Sequence, residues 1–81
     1  QIRLAKDPSF DDVANGIKTF ELRKNDRGYK VGDILEMMEF ADGKNTGRTV
    51  KVLVTYMLED YTGIEDGYCI MATKLMKESE E

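Results

Sequence analysis

Histidine is absent from all 81 residues. Its absence removes Ser-His-Asp and Cys-His nucleophilic catalysis, and with them the ordinary zinc sites built on imidazole. Cysteine occurs once, at Cys69, so no intramolecular disulfide can form. Followed by Ile70 and Met71, that thiol reads as an inert core group in a reducing compartment. No apolar run approaches the roughly 20 residues that a membrane-spanning helix needs. The start also lacks the basic region, apolar stretch and small-residue cleavage site of a secretory signal, so a cytoplasmic protein away from membranes is expected. Positive charge is scarce overall, with 12 Lys and Arg against 16 Asp and Glu and a formal net charge of −4. A generic polyanion binder draws on the field of the whole molecule; any nucleic-acid site here must be local.

What is present is a hydrophobic content of 41%. A chain of this size buries roughly 60% of its unfolded surface, which suits one small core. A single domain over 1–81 is expected, with 76–81 as a frayed tail. "QIRLA" suits a short opening strand. Asp7-Pro8 then offers a capping residue and a first-turn proline, and Phe10, Val13, Ala14 and Ile17 follow at helical spacing up to a stop at Gly16. Asp11 and Asp12 complement the positive end of the helix dipole. Four further strands are expected in "KTFELR", "ILEMMEF", "RTVKVLVTYML" and "YCIMATKLM", separated by "KNDRGYKVGD", "ADGKNTG" and the acidic "EDYTGIEDG". The order β-α-β-β-β-β with hairpin-length connections implies an α+β fold, mixed and mainly antiparallel. Closing the strands into a small barrel would remove exposed edges; an open sheet packed on the helix is the alternative.

Alternation assigns the strand faces. Phe20 and Leu22 share one face and anchor the second strand, leaving Thr19, Glu21 and Arg23 displayed on the other. In the long fourth strand, Val50, Val52, Val54, Tyr56 and Leu58 fall on one side, and Tyr68 fits the core alternation of the fifth. Tyr29 and Tyr61 are open between packing and stacking on a base. Met37, Met38, Met57, Met71 and Met76 read as core filling. Neither a cofactor nor a metal is expected: Glu59-Asp60 and Glu65-Asp66 lack the tight ligand spacing of calcium loops.

Charge concentrates at one place. Residues 18–30 carry five cations (Lys18, Arg23, Lys24, Arg27, Lys30) against two anions (Glu21, Asp26), a local net of about +3 in an acidic chain. Screening over about 8 Å lets such a patch act independently of distant acids. Under a functional reading, Glu21 between two cations would hold the Arg23 guanidinium in a fixed orientation. From the residues alone, a solvated strand face with weak surface ion pairs competes with a ligand site.

The stretch "GIKTFELRKNDRGYKVGDIL" resembles the core of ASCH-like proteins in the PUA-like superfamily, whose hallmark is Gly-x-Lys-x-x-Glu-x-Arg. Gly16, Lys18, Glu21 and Arg23 fall on that pattern. The continuation "RKNDR", "VGDIL", "TGR" at 46–48, "VTYML" and "GYCIM" is similar to a small bacterial and phage-associated ASCH-like family of unknown function. The resemblance implies a PUA-like small β-barrel with one short N-terminal helix and a cleft between the two. Lys18, Glu21 and Arg23 would line that cleft and bind RNA or a nucleotide, with Lys24, Asn25 and Arg27 at its rim. Gly16, Asp26, Gly32 and Asp33 would have structural parts in the motif.

Two other readings stand beside this one. An enzymatic branch resembles an amidohydrolase acting on an acylated cytidine, which here would use Lys18 as base and Glu21 as proton acceptor or substrate clamp. That branch carries its nucleophilic Thr three residues after the Lys, where this chain has Glu21. Thr19, next to Lys18, falls on the opposite strand face. The third reading is a phage-type interaction module whose acidic remainder meets a basic protein partner.

Overall fold

The structure, a computed structural model, describes residues 2–5 and 9–76. Its elements are β1 (Ile2–Ala5), α1 (Asp11–Ala14), β2 (Phe20–Lys24), β3 (Ile34–Ala41), β4 (Lys44–Glu59) and β5 (Tyr68–Leu75), in the order expected from the sequence. The five strands form one sheet, β1-β3-β4-β5-β2, curled into a half-barrel. Only β1 with β3 is parallel; the other three pairings are antiparallel. The proposed Asp7-Pro8 helix start and residues 77–81 of the tail lie outside the described residues. Met76, expected to fray, donates its backbone N–H to the Lys51 carbonyl at 3.0 Å.

Helix α1 is shorter than the two turns expected. Phe10, at its start, is already helical (φ −64, ψ −47) and makes no side-chain cap. Phe10 and Val13 are buried and Ala14 packs against them, but Ile17 is exposed instead of continuing the buried stripe. The chain leaves the helical path at Gly16, whose φ is +73. There the Gly16 N–H bonds to the Val13 carbonyl at 3.0 Å and the Ile17 N–H to the Asp12 carbonyl at 2.8 Å. This paired closure is what a left-handed glycine permits at a helix end.

The expected turn over "ADGKNTG" contracts to Asp42 and Gly43, both at positive φ (54 and 75), between paired Ala41 and Lys44. Two such residues follow the right-handed twist of the flanking strands. Residues 44–47 therefore extend β4 to 16 residues. Its pairing is interrupted twice. Met38 pairs with Thr49 but Phe40 pairs with Asn45, so Glu39 faces the three residues 46–48. Further along, Val54 pairs with Thr73 and Tyr56 with Ala72, leaving Thr55 as an extra residue.

One inserted residue moves every later side chain to the other face. Tyr56, expected in phase with Val52 and Val54, is therefore turned outward and 64% exposed. Leu58 follows it to the outer face, and Met57 takes the inward place against the core. That core comprises Phe10 and Val13 from the helical segment with Leu35, Met37, Val52, Val54, Cys69 and Met71 from β3, β4 and β5. Tyr29 packs against it, whereas Tyr61 is exposed. Burial pushes the Cys69 thiol above its ordinary pKa, with the negative charge of Glu59 adding to the effect. Among the described residues, no helix is long and apolar enough to cross a membrane.

Candidate functional site

Strand β2 faces the opposite way from the expectation. Glu21 pairs with Met71 and Arg23 with Cys69, both fully buried partners, so Glu21 and Arg23 point inward. Phe20, Leu22 and Lys24, paired with Ala72, Ile70 and Tyr68, point outward. Glu21 is 3% exposed whereas Phe20 is 54% exposed. The interior accepts the carboxylate because two cations flank it at the sheet edge, and a buried charge survives only when paired. Alternation alone could not reveal this, since apolar residues usually take the inner face.

Lys18 Nζ lies 3.4 Å from Glu21 Oε2, and Arg23 Nε donates to Glu21 Oε1 at 3.2 Å. Oε2 is within ion-pair distance of the ammonium but outside hydrogen-bond geometry, and it is a buried oxygen with no hydrogen-bond donor. The Lys18 backbone is set by the Gly16 closure, because its N–H donates to the Asp12 carbonyl at 3.0 Å. The Lys18 ammonium also lies 5.5 Å from the centroid of the Phe20 ring. Lys18 and Arg23 keep 23% and 30% of their side-chain surface exposed, so the buried carboxylate sits beneath two cations that solvent reaches.

The other motif residues separate from this trio. Lys24 stands on the outer face of β2. Asn25 is engaged by the fold: its N–H donates to the Gly67 carbonyl at 2.7 Å, its Nδ2 to Glu59 Oε2 at 2.9 Å, and its Oδ1 accepts the Tyr29 N–H at 2.9 Å. Asp26 and Arg27 are exposed in the following loop. Gly32, at φ +98, donates its N–H to the Val54 carbonyl at 2.8 Å, while the Asp33 carbonyl accepts the Val54 N–H at 2.9 Å. Asp33 Oδ2 accepts the Lys30 N–H at 2.9 Å, closing the loop on itself. Thr19 is exposed, and its carbonyl accepts the Thr73 N–H at 2.9 Å.

A second buried carboxylate escaped the sequence reading. Glu39 accepts from Thr46 Oγ1 at 2.8 Å and from Arg48 Nη1, 3.2 Å from Oε2 and 3.4 Å from Oε1. Arg48 Nη2 also donates to Asp11 Oδ1 at 2.8 Å, and its guanidinium stacks over Phe10 at 4.8 Å. The Asp11 hydrogen bond leads the interactions that push Arg48 above its ordinary pKa. The available signal was phase: Glu39 continues the inward register of Leu35 and Met37. Both oxygens of Glu39 have hydrogen-bond donors, so this cluster fastens α1 to the sheet, in contrast to Glu21, whose Oε2 has an ion-pair partner but no hydrogen bond.

Comparison with known proteins places these two clusters in a family. The model described as "Domain of unknown function (DUF3850)" matches residues 2–73. The chain belongs to the DUF3850 family. It is also similar to the "Uncharacterized 12.9 kDa protein in GpA 3'region" of Escherichia phage P2, at 40% identity over 57 residues. That alignment takes in 70% of this DUF3850 chain and 52% of the phage protein, so the chain spans about half the length of this relative. Both carboxylate clusters of the DUF3850 chain lie within the matched residues.

Proposed function

We propose that this chain is an ASCH-like, PUA-like binding module that holds an RNA segment or nucleotide at Lys18, Glu21 and Arg23. The carrying observation is Glu21 Oε2, a buried carboxylate oxygen with no hydrogen-bond donor. That oxygen is ion-paired to Lys18 at 3.4 Å but accepts no hydrogen bond, and a ligand N–H supplies the donor that the fold omits. Lys18 covers this oxygen on a flexible four-carbon stem. On binding, its ammonium turns to a phosphate and admits an exocyclic amine or ring N–H of a base to Glu21. Arg23, held through Nε by Oε1, adds a second cation beside the same ligand.

The half-barrel with its short helix and the Gly-x-Lys-x-x-Glu-x-Arg placement support the ASCH-like assignment. The test is a titration with pooled cellular RNA and with nucleoside monophosphates at two salt concentrations, comparing the parent with Lys18→Ala/Arg23→Ala. Expected is binding that weakens with salt, with a logarithmic slope of about −0.7 per phosphate neutralised, and that the folded double variant loses. A folded double variant that binds as well as the parent overturns the assignment. Turnover of an acylated cytidine that vanishes in Lys18→Ala would replace it with the hydrolase reading.

A further inference from the structure

The outward face of β2, β5 and the far half of β4 is the largest feature that the buried site leaves unexplained. Register aligns two rows across three adjacent strands: Tyr56, Ala72 and Phe20 in one, Leu58, Ile70 and Leu22 in the next. Phe20, Leu22 and Tyr56 are each more than half exposed, a concentration of bare apolar side chains that marks an interaction surface. Neighbouring strands lie about 4.8 Å apart, so Phe20 and Tyr56 stand about 10 Å apart at the backbone with the small Ala72 between them. Two aromatic rings thus flank a low floor.

Charge selects the occupant. The outward positions of β2, of β5 and of 53–58 on β4 include Lys24 beside Tyr68 and Lys74 beside Leu53, and no carboxylate. Lys18 reaches over the sheet edge to the Phe20 ring at 5.5 Å. A cationic, acid-free face on a chain of net charge −4 suits an anionic partner. A second copy docked face to face would set these lysines near one another with no carboxylate on either face to neutralise them. An anionic partner with planar apolar groups meets both the lysines and the rings.

We propose that this face is a stacking platform for single-stranded RNA, on which Phe20 and Tyr56 each stack one base while Lys24 and Lys74 contact phosphate. The proposal rests on the RNA-binding reading and extends it, because Lys18 joins the platform to the Glu21 site around the β2 edge. Base–aromatic stacking is tolerant of sequence, so the platform supplies length-dependent affinity and the Glu21 site reads a single base or end.

The test titrates a short mixed-sequence RNA oligomer, an abasic sugar-phosphate oligomer of equal length and a nucleoside monophosphate. The proteins are the parent, Phe20→Ala/Tyr56→Ala and Lys18→Ala/Arg23→Ala. Both aromatic positions are exposed, and circular dichroism confirms that the variants keep the fold. Expected is a loss of about 30-fold or more in oligomer affinity for Phe20→Ala/Tyr56→Ala, with monophosphate binding kept. The parent is expected to bind the abasic oligomer much more weakly than the RNA and to lose tyrosine fluorescence as RNA binds. Equal oligomer binding by parent and Phe20→Ala/Tyr56→Ala overturns the platform and leaves the Glu21 reading standing if Lys18→Ala/Arg23→Ala has lost the RNA. A parent that binds the abasic oligomer as tightly as RNA overturns stacking. A concentration-dependent dimer abolished by Phe20→Ala/Tyr56→Ala overturns the proposal in favour of self-association. A parent that binds none of the three probes removes both readings together.

Discussion

Replacing Gly16 by Ala isolates the backbone requirement at the junction between helix and site. Gly16 has φ +73, and a Cβ built there meets only Leu75 Cδ2, at 4.0 Å. The added methyl finds ordinary contact distance, so the cost is conformational rather than steric. An L-residue in the left-handed region costs about 1–2 kcal/mol, partly offset by the reduced freedom of the unfolded chain. A net loss of about 1 kcal/mol follows, and in a domain of this size that lowers the melting temperature by roughly 4–8 °C. Asn tolerates this conformation better, so Gly16→Asn is expected to lose about half as much. Urea unfolding followed by circular dichroism, alongside thermal melts, gives both numbers. The backbone N–H groups of Ile17 and Lys18 share the Asp12 carbonyl, so the same variants should weaken ligand binding in the same order. A Gly16→Ala variant as stable as the parent would refute the reasoning.

Three further outcomes follow from the packing. Arg48→Met removes the side chain that joins Glu39, Asp11 and Phe10, so its urea midpoint is expected to fall, and Arg48→Lys is expected not to restore it because a compact ammonium cannot serve both carboxylates; a midpoint equal to the parent's counts against the clamp. Deleting Thr55 removes the extra residue of β4 and lets Val54 and Tyr56 pair with Thr73 and Ala72 without interruption, so Tyr56 stays outward and the variant is expected to keep the fold with a urea midpoint near the parent's; a variant that unfolds would contradict the bulge assignment. Cys69 has a raised pKa in the fold. The stability it contributes is full below the unfolded thiol value of about 8.5 and is lost as pH rises through the folded value. The parent is expected to lose stability faster than Cys69→Ala above that pH and to react slowly with thiol reagents; parallel pH profiles would refute this.

Element order was legible because each element has its own punctuation. Asp42-Gly43 and Gly32-Asp33 mark turns, and Gly16 marks the helix end through a positive φ that other residues adopt at a cost. Cys69 and the methionines Met37 and Met71 were expected inside and are buried, whereas Tyr68, expected in the core alternation of β5, stands in the outward register beside Lys24, because Cys69 and Met71 take the inner face. Two features hid from that logic. Thr55 carries no signature of a bulge, so the phase that placed Tyr56 beside Val54 ran past an invisible insertion. In β2, the pattern of two apolar and three polar residues was read correctly as two faces, but its polarity was assigned by the ordinary preference for apolar interiors. Only the tertiary position of Lys18 and Arg23 around Glu21 decides that the charged face turns in. The grouping of Lys18, Glu21 and Arg23 was thus legible, their burial was not, and Glu39 with Arg48 required the pairing irregularity opposite residues 46–48.

The most direct test of the central claim is a two-dimensional amide NMR spectrum recorded while RNA is added to the parent protein. The account predicts shift changes centred on residues 16–24 of β2 and the turn before it, spreading to Met71 and Cys69 across the strand pair. Changes confined to the acidic loop at 59–66, or a spectrum that RNA leaves untouched, would contradict it.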